Sequence, residues 1–156
     1  MSFLKSLSKG ISQAAKNIQA TTKQVERVKQ VIDESLEIYR TSQKHETRLS
    51  RLDVAILKFE YLIEEYPFWP ENAEWKKQHA ALVDEREDFF MPNLESLVAE
   101  FVVKIEEGKT ARTKNNRAQK LIETLHKMRD DEDCDEDWVD TTIEELEQRY
   151  PAPPEK

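Results

Sequence analysis

Glycine occurs only twice in the 156 residues, at Gly10 and Gly108. The sharp turns of a compact all-β or Rossmann-type fold rely on glycine's tolerance of positive φ, so those folds have almost nothing here to turn on. The same scarcity removes glycine-loop nucleotide sites. Cysteine is scarcer still. Cys134 stands alone, so it cannot form an internal disulfide, and no Cys/His metal-ligand spacing surrounds it. That usage predicts a reducing, cytoplasmic compartment. Long apolar runs are missing too: nothing approaches the roughly 18 consecutive apolar residues of a membrane span. Lys5 and Lys9 break up the N-terminal segment where a secretory leader needs an unbroken run. Any contact with a membrane is expected to be peripheral, at its inner face.

What the sequence does have is charge, in 36% of its residues, against 38% hydrophobic ones. This balance suits amphipathic helices with broad solvated faces in a single small domain with an appendage. The net charge of -8 disfavours nonspecific nucleic-acid binding by the molecule as a whole. The charge lies in blocks. Residues 1–30 are net +5, 31–108 net -9, 109–129 net +6 and 130–149 net -10. The acidic chain therefore opens on a basic segment, "MSFLKSLSKGISQAAKNI", made only of apolar, lysine and small polar residues.

Periodicity reads helical almost throughout. Leu4, Ile11, Ile18, Val25, Ile32 and Tyr39 recur every seventh residue, and Leu7, Ala14, Thr21, Val28 and Ser35 form a companion row. These rows predict one helix from about Phe3 to Arg40, weakest at Gly10 and at Thr21-Thr22. A second helix is expected from Glu46 to Tyr66 with Leu49, Leu52, Ile56, Phe59 and Ile63 inward, stopped by Pro67. A third begins near Pro70, carries Trp75, His79, Leu82, Val83, Phe89 and Phe90, and should end at Met91-Pro92. A fourth runs from Pro92 to Glu107, with Gly108 as its C-terminal cap. Its "LVAEFVVKI" also alternates as a strand would, but the bracketing Pro and Gly and the length favour helix. A fifth covers Thr110 to Arg129, and Thr142-Ile143-Glu144-Glu145 begins a short last one. "YPAPPEK" reads as an extended tail.

"AILKFEYLIEEYPFWPENAEW" resembles the junction between the second helix of one tetratricopeptide repeat and the start of the next, through Ala55, Phe59, Leu62 and Pro67. The match covers about a fifth of the chain, Trp75 falls two residues late, and no 34-residue period continues. The resemblance therefore implies a helix hairpin and no family membership.

On a helical wheel Leu4, Leu7, Ile11, Ala14 and Ile18 share one side, and Lys5, Lys9 and Lys16 the other. A helix of this length spans about 57 Å, whereas the rest of the chain should form a globule roughly 35 Å across. Part of the stripe then overhangs, unless it packs back on its own domain. Three occupants fit the overhang: a partner's helix, a second copy of the chain, or an anionic membrane surface.

The remaining candidates are thinner. Lys109, Arg117, Lys120 and Lys127 share a face that could meet phosphates, but eleven acids follow directly and are expected to screen it, which makes nucleic acid an unfavoured partner. Asp133, Asp135, Asp137 and Glu144 have EF-hand spacing, yet Trp138 stands where that loop needs glycine. Glu123-x-x-His126 is half of a di-iron carboxylate pattern without its other half. His45 and His79 lack partners at ligand spacing, and acids around Cys134 should raise its thiol pKa.

The reading is an all-α fold: a small antiparallel helical bundle with a long amphipathic N-terminal helix. Residues 1–43 form the interaction helix, 44–150 the bundle with an acidic segment at 130–147, and 151–156 the tail. The expected function is a non-enzymatic helical adaptor or scaffold, with no catalytic residue, cofactor or metal. Leu4, Leu7, Ile11, Ile18, Val25 and Val28 supply its apolar contacts, and Lys5, Lys9 and Lys16 steer toward acidic protein or lipid. The alternative is an acidic inhibitor, immunity-like or antitoxin-like, which blocks a basic partner with Asp133, Asp135, Asp137 and Asp140.

Overall fold

A computed structural model describes residues 2–152 and is all-α. Its helices are α1 (Ser2–Thr41), α2 (His45–Glu65), α3 (Asn72–Glu106), α4 (Ala111–Met128) and α5 (Glu136–Arg149). No strand occurs among the described residues, so "LVAEFVVKI" is helical. The chain divides into two compact units, Met1–Val83 and Asp84–Lys156, and α3 contributes to both. Residues 153–156 of the expected tail lie outside the described residues; Pro151 and Ala152 are exposed and non-helical.

In the first unit the short connection at 42–44 folds α1 and α2 into an antiparallel hairpin. Val25, Val28, Ile32, Ser35 and Tyr39, the seven-residue rows of α1, are buried. Leu52, Ala55, Ile56, Phe59 and Leu62 are buried on α2. Burying each large apolar side chain here contributes about 1.5–3 kcal/mol. Leu49 and Ile63 are only half-buried, and Ala55 and Leu62 take the inward places instead. Arg48 fastens the turn end of the hairpin: its Nε donates to the Tyr39 carbonyl at 3.0 Å, and its guanidinium lies 5.3 Å above the Tyr39 ring. At the other end Pro67 stops α2, and the Asn72 side-chain amide donates to the Ile63 and Tyr66 carbonyls at 3.1 and 3.0 Å. That amide fixes the "YPFWPEN" turn and starts α3 two residues past Pro70. Residues 25–41 belong to this hairpin together with α2.

In the second unit the largest departure is at Pro92, which lies inside α3 instead of ending a helix. A proline in a helix interior removes a hydrogen bond and costs about 3 kcal/mol or more. Phe90 and Leu94, each 1% exposed, are buried on either side of it, and that burial holds one helix through the interruption. Pro92, which has no N–H for the Asp88 carbonyl to accept from, and Asp88 are both exposed residues. Gly108 differs too. Its φ is not positive, so it is no left-handed cap; a Cβ there would meet the Ile105 carbonyl oxygen at 3.1 Å and the Lys114 and Thr113 side chains at 3.2 Å. Glycine here eases a tight approach. The last helix starts earlier than its Thr142 signal: Asp135 accepts from the Trp138 N–H at 3.1 Å, with Glu136 and Asp137 in the first turn. Thr110 caps α4 in the same way through the Thr113 N–H.

Candidate functional site

α1 has 40 residues and α2 has 21, so their lengths are about 60 and about 31 Å. Counted back from the turn, Glu65 at the end of α2 comes level with about Thr21. The exposure pattern breaks at the same level. Every residue from Phe3 to Ala20 is exposed, Thr21 is half-buried, and Val25 is fully buried. The exposed part keeps its apolar stripe: Phe3 is 74% exposed, Leu4 64%, Leu7 51%, Ile11 64% and Ile18 66%. At about 100° per residue these side chains, with Ala14 and Ala15, occupy an arc of roughly 120°, and Lys5, Lys9 and Lys16 cluster opposite. The stripe is one seam, covered from Val25 onward and bare before it.

Two side chains mark the junction. The Thr21 and Thr22 hydroxyls donate to the Asn17 and Ile18 carbonyls, each at 2.9 Å. Such back-bonding takes up hydroxyls that would otherwise compete with the helix, and it favours a slight bend. Gly10 leaves the helix unbroken and has nothing within 4 Å of the place a Cβ would take.

Of the expected contact residues, Leu4, Leu7, Ile11, Ile18, Lys5, Lys9 and Lys16 all lie on this exposed part. Val25 and Val28, at 0% and 6% exposed, do not: they fill the hairpin core and have no surface to offer. The candidate face therefore ends at Ile18.

The acidic segment is held in place. Both Arg86 terminal nitrogens donate to Asp131 at 2.7 Å, Nη1 also reaches Asp133 at 2.6 Å, and the guanidinium lies 5.3 Å over the Phe90 ring. Arg86 and its two acids are largely buried. The Arg86 hydrogen bonds hold the Asp131 carboxyl below the usual carboxylate range, against the opposing pull of burial. Arg129 donates to Asp140 at 2.7 and 3.1 Å, which depresses the Asp140 carboxyl. So of the four residues of the acidic surface, Asp133 is clamped, Asp135 caps α5, Asp140 is paired, and Asp137 is exposed. Sequence periodicity did not single out Arg86. Its signal was a lone base in "DEREDFF", one turn ahead of Phe90.

The other candidates are dispersed. Among the described residues no group of three or more His, Cys, Asp or Glu side chains is placed to hold a metal ion. The thiol pKa of Cys134 is raised, first by burial and then by Asp131, Asp135 and Glu136. His79 finds Glu60 at 3.0 Å, and Glu123 and His126 are exposed. On the α4 stripe Arg117 donates to the Lys104 carbonyl, while Lys109, Lys120 and Lys127 are exposed. A cleft of about 180 Å³ in the first unit is crossed by Lys29, which pairs with Glu71 at 3.1 Å. No described helix is long and apolar enough to cross a membrane. No family model matches the chain, and no curated protein or solved structure is significantly similar to it.

Proposed function

We propose that this chain is a non-enzymatic helical adaptor that docks to another component through the amphipathic face of residues 3–18. One observation carries the reading: a single apolar seam runs along α1, packed over Val25–Tyr39 and bare from Phe3 to Ile18. A solvated helix needs no such stripe, and in water a stripe this regular exposes apolar area that association would remove. Lys5, Lys9 and Lys16 add attraction for an acidic protein or an anionic lipid surface. Three of the four acids of the rival inhibitor surface already have intramolecular work, so the geometry favours the N-terminal face.

Light scattering and vesicle co-sedimentation of the full chain test this against a variant with Leu4, Leu7, Ile11 and Ile18 all changed to serine. The expected result is association by the parent, loss of it in the variant, and the same unfolding midpoint for both. A large drop in the variant's midpoint would instead make the segment part of the fold. Absence of any association by the parent would remove self-association and membrane docking from the reading.

A further inference from the structure

We infer that the occupant of this face is the headgroup–acyl boundary of an anionic membrane, with residues 3–18 lying in its plane. The inference rests on the docking reading above and names its partner.

Helical partners recognise one another by charges flanking the apolar seam. Here the flanking places hold Ser8, Ala15 and Thr22 on one side and Gly10, Asn17 and Gln24 on the other. None is charged, so nothing in the segment selects a partner helix or fixes its register. Ala14 and Thr21 on the seam itself are small, which leaves shallow knobs for a facing helix. A bilayer asks for neither register nor knobs.

The same lack of flanking charge gives a second copy of the segment no register to pair in.

The same features suit lipid. Phe3, Leu4 and Leu7 gather the bulk at one end of an apolar arc bordered by Ser6, Ser8, Ser12 and Gln13, uncharged groups that sit well among headgroups. The hairpin end from which the segment projects carries the Tyr66–Trp69 turn, where Phe68 is 99% exposed. Tyr66 and Trp69, both half-buried, are the ring types that favour the membrane–water boundary, and Phe68 adds exposed apolar area beside them. The lysines lie on the far side of the helix, roughly one helix diameter from the surface and near the limit of salt screening. They therefore add a long-range, salt-sensitive attraction to anionic lipid beside the apolar contacts.

The test is co-sedimentation of the full chain with phosphatidylcholine vesicles, alone or containing about 30% phosphatidylglycerol, at low and high salt. The parent should bind the anionic vesicles at least about tenfold more tightly than the neutral ones, and high salt should shrink that difference. Changing Lys5, Lys9 and Lys16 to glutamine should remove the preference for anionic lipid. Leu7→Ser with Ile11→Ser should abolish binding at any salt while the unfolding midpoint is retained. Equal binding by the Leu7/Ile11 variant, or no preference for anionic lipid, would overturn the inference. Absence of vesicle binding together with Leu7- and Ile11-dependent self-association would overturn the membrane occupant and leave the adaptor reading standing. Absence of both would likewise overturn the membrane occupant.

Discussion

The molecule carries two segments whose charges are all of one sign and could each meet a partner, and they differ in what their own chain does with them. The basic segment at 3–20 is exposed throughout. The acidic segment at 130–140 is tied to Arg86 and Arg129 and supplies the cap of α5. What separates them is the supply of complementary groups: the acids have two arginines within reach, whereas the bare stripe has run past the end of the helix that covers the rest of it. A segment is available for docking when its own unit has nothing left to place against it.

The sharpest way to break this contrast is a matched pair on one seam. Ile32→Ala, at a position 2% exposed, should lower stability by about 2–5 kcal/mol in urea denaturation. Ile11→Ala, at a position 64% exposed and in the same register, should change it by less than about 0.5 kcal/mol. Equal costs would mean that the N-terminal half is also core. Next comes the clamp. Arg86→Leu should cost about 1.5–3 kcal/mol, because it leaves Asp131 and Asp133 half-buried without their donor.

Acid should act on one segment only. The Asp131 carboxyl is held below its unfolded value, so its contribution is present above about pH 4 and disappears as pH falls through the folded value. Thermal unfolding at pH 7 and pH 3 should show a loss that the Arg86→Leu variant reduces. Residues 3–20 contain no carboxylate and stay out of it. The smallest effect is a gain. The Ser35 hydroxyl is 1% exposed and finds no partner among the described residues, so Ser35→Ala should raise stability by about 1 kcal/mol.

Much of this was legible in the residue order. The seven-residue rows set the extent of α1, and Pro67 set the end of α2, because both signals are local. The point at which the seam becomes buried was not legible: Val25 and Ile18 are equivalent in spacing, and only the length of α2 distinguishes them. Pro92 misled for a related reason. A proline's local preference to end a helix is outweighed by the burial of Phe90 and Leu94, which depends on tertiary structure. Likewise the acids of 130–140 showed their charge but not their partners, since Arg86 lies 45 residues before Asp131.

The stop at Pro67 acts as a ruler for a segment more than forty positions upstream. Had α2 run on for another four or five turns, it would have sheathed the stripe and left a plain two-helix rod. Shortening or lengthening α2 would thus tune how much adhesive surface the molecule displays, without touching one residue of that surface. In this architecture the reach of the docking arm is encoded in its neighbour.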